Sequence, residues 1–139
     1  MRYLLDTNAC IRILNNSSKP LVERLRQHEP SQIGLCSVVK AELLYGARRS
    51  SRVSENLDLL ERFFEPFASL PFDDTSAEHY GRIRLHLERA GNLIGPNDLL
   101  IAATARAHGL VLVSHNTREF SRVDGLELED WELEPDSVS

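Results

Sequence analysis

The sequence is short of cysteine, with two, and holds one methionine and one tryptophan; none of its hydrophobic runs is long. A transmembrane helix needs about 20 consecutive apolar residues, so none is expected. Cys10 and Cys36 make no CxxC pair and no disulfide framework, which points to the reducing cytoplasm. An acid already at position 6 argues against a secretory leader. His28, His79, His86, His108 and His115 show neither HxH nor HExxH spacing, so they predict no zinc site. The patterns GxSxG, GxxxxGK(S/T) and GxGxxG are missing, and with them the serine-hydrolase elbow, the P-loop and the dinucleotide fingerprint. Lysine is scarce: of 16 basic residues only Lys19 and Lys40 are not arginine.

What remains is ordinary globular composition. The chain of 139 residues, 42% hydrophobic and 27% charged, has the size of one domain spanning 1–139. A chain of that length buries roughly two thirds of its unfolded surface on folding. The net charge of -5 is unevenly spread. Residues 123–139 form an acidic tail with Asp124, Glu127, Glu129, Asp130, Glu132, Glu134 and Asp136 and no base, leaving the body weakly basic. Such a tail is expected to serve solubility. A weakly basic, arginine-rich body permits phosphate contacts without requiring them.

Periodicity predicts strands alternating with helices. Strands are expected at Arg2–Leu5, Gln32–Cys36, Ala68–Phe72 and Leu110–Val113, with an edge strand at Leu126–Leu128. The helices between them are marked by Asp6-Thr7-Asn8, Pro20, Ser37, a Thr75-Ser76-Ala77-Glu78 capping box and Pro96, with Gly91 and Gly109 as stops. A further helix carries Leu57, Leu60, Phe63 and Phe64 on one face. This alternation implies an α/β fold, a mostly parallel sheet with helices on both faces. Ligand chemistry in such sheets gathers at the carboxyl ends of the strands, where Asp6 and Ser114-His115-Asn116 fall.

Each acid of interest also has a local explanation. Asp6 can cap the helix that follows it, Asp98 gains from the dipole of the helix opened by Pro96, and Glu119 can complete a box with Asn116. Glu42 is different. Its helical neighbours are Val38, Val39, Tyr45 and Gly46, and no base lies one turn away on its face. A carboxylate there must be neutralised, find a distant arginine, or bind a cation. Asp98 shares its face with Ile101, Ala102 and Ala105, which draws it inward too. Converging carboxylates repel by about 4 kcal/mol per pair at about 4 Å and an effective dielectric near 20. A shared proton or a hard, oxygen-loving cation, Mg²⁺ or Mn²⁺, relieves that.

Taken together, Leu-Leu-Asp6-Thr7-Asn8, Ser37-Val-Val-Lys-Ala-Glu42-Leu-Leu-Tyr-Gly46, Gly95-Pro-Asn-Asp98-Leu-Leu-Ile-Ala-Ala103 and Leu112-Val-Ser-His-Asn116-Thr-Arg-Glu119-Phe120 resemble the PIN domain, and within it the VapC-type toxins. The resemblance runs over about residues 1–131. It implies a three-layer α/β/α fold and a Mg²⁺- or Mn²⁺-dependent endoribonuclease that cuts tRNA, initiator tRNA included, or ribosomal RNA loops, and so inhibits translation. Asp6, Glu42 and Asp98 match the family's acidic metal site, with Asn8 at a supporting position. Many members carry aspartate where Asn116 stands; those most like this chain pair Asn with a Glu three residues on, which makes Glu119 the fourth acid. Thr7, Ser114 and Asn116 are then supporting residues. The family also implies a VapB-type antitoxin, a homodimer, and promoter DNA bound only through the antitoxin. Arg118, beside the acids, is the leading RNA contact, followed by Arg48 and Arg49; Lys40, Arg52, Arg82, Arg84 and Arg89 are further candidates.

Two competing folds fail on the residues. A receiver domain needs an acidic pair after its first strand and a late lysine, and a DxDxT phosphatase needs aspartate at position 8, where Asn8 stands. A catalytically silent PIN-like module that binds RNA or protein remains the alternative, kept alive by Asn116.

Overall fold

The structure, a computed structural model, describes residues 1–133. Five strands form one sheet: β1 (Tyr3–Leu5), β2 (Ile33–Cys36), β3 (Ala68–Leu70), β4 (Val111–Val113) and β5 (Leu128–Glu129). Their order is β3-β2-β1-β4-β5, and every pairing is parallel, as in Leu5↔Val113 and Cys36↔Leu70. The helices between them are α1 (Thr7–Leu14), α2 (Lys19–Arg26), α3 (Ser37–Arg48), α4 (Val53–Phe64), α5 (Asp74–Arg89), α6 (Pro96–Ala107) and the short α7 (Thr117–Phe120). Parallel neighbours cannot be joined by tight turns, so the helices are the crossovers. The expected α/β architecture is what is found.

The three central strands are short, continuous apolar runs because both faces are covered: Leu4, Leu5, Ile33, Leu35, Leu112 and Val113 are all buried. From α6, Leu99, Ile101, Ala102, Ala103 and Ala105 are buried as well, small residues that bring this helix close to its neighbours. On the Leu57–Phe64 face only Leu60 is fully buried; Leu57, Phe63 and Phe64 are half-buried against the core. Successive crossovers run from β1 to β2 and β3 on one side and to β4 and β5 on the other. The order of strand addition therefore reverses between β1 and β4, and the crevice outside their carboxyl ends is where such sheets bind ligands.

Several local expectations shift. The cap of α5 is Asp73, not Thr75: its Oδ1 accepts from the Ser76 amide at 2.9 Å and the Ser76 hydroxyl at 2.7 Å. A carboxylate is the stronger acceptor at a positive helix end. Those hydrogen bonds, with His108 at 3.1 Å, hold the Asp73 carboxyl down at about 2. Cys36 occupies the cap position of α3, so Ser37 is already helical. The third strand ends at Leu70 rather than Phe72, and the edge strand lies at Leu128–Glu129 rather than Leu126–Leu128.

The acidic segment is not a solvated tail as far as Leu133. Trp131 is 1% exposed, stacked on His28 at 4.9 Å and edge-on to Tyr3 at 5.0 Å. Its Nε1 donates to Glu129, which also meets Arg24 at 3.4 Å. An expected solubilising stretch thus closes the sheet edge; Glu134 and Asp136 lie outside the described residues.

Candidate active site and metal centre

Three elements deliver the acids to the crevice. Asp6 follows β1 and caps α1, its Oδ1 accepting from the Ala9 amide at 2.8 Å. The capping role and the site role coincide, since the cap uses one oxygen and leaves the other. Asp6 is nearly sealed from solvent, at 4% exposure. Burial raises its pKa; the Ser114 hydroxyl and the Ala9 amide pull it back, while Glu132 and Glu42 push it further up.

Glu42 projects from the second turn of α3, half-buried. Thr7, the first residue of α1, donates its hydroxyl to Glu42 Oε1 at 2.6 Å. The distant arginine partner does not exist among the described residues, where no ion pair involves Asp6, Glu42, Asp98 or Glu119.

Asp98 stands in the first turn of α6, where the helix dipole favours its anion. Even so its carboxyl is pushed up to about 6, by burial first and then by Glu119, Asp6 and Glu42. The Glu119 side chain faces Asp98 and is the largest charge contribution to that rise. The structure thus brings all four predicted acids within electrostatic reach of one another.

The supporting residues divide. Ser114 donates to Asp6, and its Oγ accepts from the Asn116 amide at 2.9 Å. Asn116 does not cap α7 with its side chain. Its Nδ2 instead donates to Glu119 Oε2 at 3.0 Å, orienting the fourth acid. Asn8 is exposed on α1, with no side-chain hydrogen bond among the described residues. Arg118 is exposed in α7 next to Glu119, whereas Arg48 and Arg49 lie at the end of α3, about 10 Å along its axis from Glu42.

Two carboxylates escaped the sequence reading. Asp130 and Glu132, their side chains 9% and 8% exposed, follow β5 at the same sheet edge. Asp130 Oδ2 pairs with His115 Nδ1 at 2.9 Å, and Glu132 pairs with Arg12 at 3.3 Å. Ligand atoms of His115, Asp130 and Glu132 all lie within 4.8 Å of one another, a tighter group than Asp6, Glu42 and Asp98 form. Every member of this tighter group already has a partner, so it needs no cation to be stable. The signal that could have found it is Trp131: a lone tryptophan inside an acidic run marks a segment that packs.

The arrangement fits a hard divalent cation. The uncompensated donors are all oxygens, and they repel one another, which a cation between them would relieve.

The fold and this acidic crevice define a class. A sequence profile of the PIN domain matches residues 3–126, and the chain belongs to the PIN-domain family. Within that family its relatives are VapC proteins. It is 40% identical over 131 residues to the tRNA(fMet)-specific endonuclease VapC of Shigella flexneri, covering 94% of this chain and 98% of the relative. It superposes on the DNA-bound VapBC of Salmonella typhimurium with a TM-score of 0.89 and 38% identity, over 94% and 98% of the two chains. For VapBC2 of Rickettsia felis, bound to a promoter DNA fragment, the TM-score is 0.88 at 35% identity, over 94% and 99%.

Proposed function

We propose that this protein is a divalent-metal-dependent endoribonuclease, the toxin of a toxin–antitoxin pair, which cleaves structured RNA and so inhibits translation. The observation that carries the reading is the Asp98 carboxyl held at about 6 by burial and by the nearby Glu119, Asp6 and Glu42, with no basic partner among the described residues. The specificity named for the Shigella flexneri relative makes initiator tRNA the first substrate to test, ahead of other tRNAs and ribosomal RNA loops.

Asp6, Glu42 and Asp98 would hold Mg²⁺ or Mn²⁺, with Glu119 as the fourth acid. A cation so held polarises a phosphoryl oxygen and lowers the pKa of attacking water. The chain's own residues prepare the site. Thr7 fixes the Glu42 carboxylate, Ser114 fixes Asp6, and Asn116 holds Glu119 against Asp98. A cation held there would screen Asp98 from Glu119, Asp6 and Glu42. Arg118 stands closest in sequence to the acids as a phosphate contact. Single-stranded loops suit the open crevice, because their phosphates can be splayed into it.

A VapB-type antitoxin is the proposed partner, as the VapBC neighbours support. An apolar groove of about 290 Å³ between α1, α3 and α4, lined by Ile11, Leu14, Leu43 and Leu59, ends at Glu42. A partner helix seated there would cover Glu42. Promoter DNA is contacted through the antitoxin, and the toxin itself is a homodimer, which light scattering of the isolated protein tests.

The direct experiment incubates antitoxin-free protein with total bacterial RNA in Mg²⁺, Mn²⁺ or EDTA, beside an Asp98→Asn control, and maps the ends by sequencing. Discrete metal-dependent cuts lost in the control are expected. If folded, metal-binding protein cuts no RNA, the chain is a silent binding module.

A further inference from the structure

Helix α6 carries Asp98 in its first turn and Arg106 in its last, about 12 Å further along its axis. Arg106 lies in a second charged recess, between α5, α6 and the turn after α7. The cleft measures about 270 Å³, with Ile83, Leu87 and Val123 as its floor and Arg82, His86 and Arg106 on its walls. That is below the roughly 300–1,000 Å³ typical of pockets for organic ligands.

The guanidinium of Arg106 is fixed by neutral acceptors rather than by an ion pair. Its Nε donates to His79 Nδ1 at 2.9 Å and its Nη1 to the Asp124 carbonyl at 3.0 Å, while its stem runs beside Gly125. No carboxylate lies within ion-pair distance of it among the described residues. Glu78 turns to Arg82 at 3.2 Å, and the Asp124 carboxylate turns to His86 at 3.4 Å. A guanidinium has five N–H donors, and neutral acceptors take two of these.

Around the recess two guanidiniums stand beside two carboxylates, Glu78 and Asp124, each turned to a partner other than Arg106. His79 accepts at Nδ1, so its ring is neutral, and burial, Arg106 and Arg82 all lower its proton affinity. Arg106 is itself opposed by burial and by the charge of Arg82, and favoured by Asp124. Two guanidiniums that face one recess, one of them without a carboxylate, form the planar donor array that grips phosphate oxygens.

We propose that this recess is a phosphate-binding site, with Arg106 and Arg82 as its donors and a backbone phosphate of bound RNA as its occupant. The choice of RNA rests on the nuclease reading; the anion site itself does not. Asp124 on the rim is the built-in competitor, since its carboxylate occupies the approach that a phosphate would use.

The test has two arms on the full-length protein. In the first, inorganic phosphate replaces chloride at constant ionic strength while the His79 and His86 ring resonances are followed by NMR. Saturable shifts are expected, lost in Arg106→Gln and in Arg82→Gln and reached at several-fold lower phosphate in Asp124→Asn. Arg82 is exposed, so its variant keeps the test valid should Arg106→Gln fail to fold. In the second, binding of an initiator tRNA transcript is measured against salt on an Asp98→Asn background. Losing one phosphate contact makes the slope of log affinity against log salt shallower by about 1. Phosphate saturation with an unchanged tRNA slope keeps the anion site but overturns RNA as its occupant. The site itself is refuted if no variant differs from wild type in the phosphate arm.

Discussion

The hydroxyl of Thr7 reaches Glu42 Oε1 at 2.6 Å, joining the start of α1 to the second turn of α3. Two residues 35 apart in sequence thus set the orientation of one candidate metal ligand. Thr7→Val should weaken Mn²⁺ binding by about tenfold or more, as loss of a hydrogen bond to a ligand commonly does. Calorimetric titration reads this directly, and unchanged affinity would reduce Thr7 to a tie between helices.

Asp98→Asn should abolish cleavage yet stabilise the metal-free protein at pH 7.5. Asp98 binds its proton more tightly in the fold, at about 6, than in the unfolded chain, at 3.8. The resulting stabilisation is complete below 3.8 and is lost as pH rises through about 6. Discounted for partial exposure, the loss is about 1–2 kcal/mol. Scanning calorimetry from pH 4 to pH 8, with EDTA present, should show the wild-type midpoint falling and the variant flat by comparison.

Metal should reverse that trend. Mg²⁺ or Mn²⁺ should compete with the proton on Asp98, so binding near pH 6 should release protons and raise the unfolding midpoint. Titrations in buffers of differing ionisation heat count the protons. Proton-neutral binding at pH 6 would remove Asp98 from the ligand set.

Trp131→Ala should cost about 3–5 kcal/mol, the range for a fully buried aromatic. It should also impair cleavage, because the segment it anchors carries Glu132 next to Asp6. Urea denaturation measures the first effect. A loss below about 1 kcal/mol would restore the reading of a dispensable tail.

Asp6, Glu42 and Asp98 were legible in sequence for local reasons: a strand end, an apolar helix face without a base, and the first turn of a strongly apolar helix. Glu119 was singled out only by the family resemblance, since its spacing from Asn116 suggested a capping box, whereas the Asn116 amide orients the acid rather than capping α7. Asp130 and Glu132 were not legible. A run of acids reads as a solvated surface, and only the packing of Trp131 against Tyr3 and His28 folds that run onto the sheet edge.

Strand and helix alternation, the caps, and the carboxylates at strand ends were therefore written in the chain, because backbone hydrogen bonding and side-chain periodicity act over a few residues. Tertiary structure decided which charges meet. The reversal of strand order between β1 and β4 sets Asp6 beside Ser114, and the crossovers bring Glu42 and Asp98 to the same edge. The proton affinity of Asp98 follows from that meeting, since burial and the field of three other carboxylates exist only once the chain is folded.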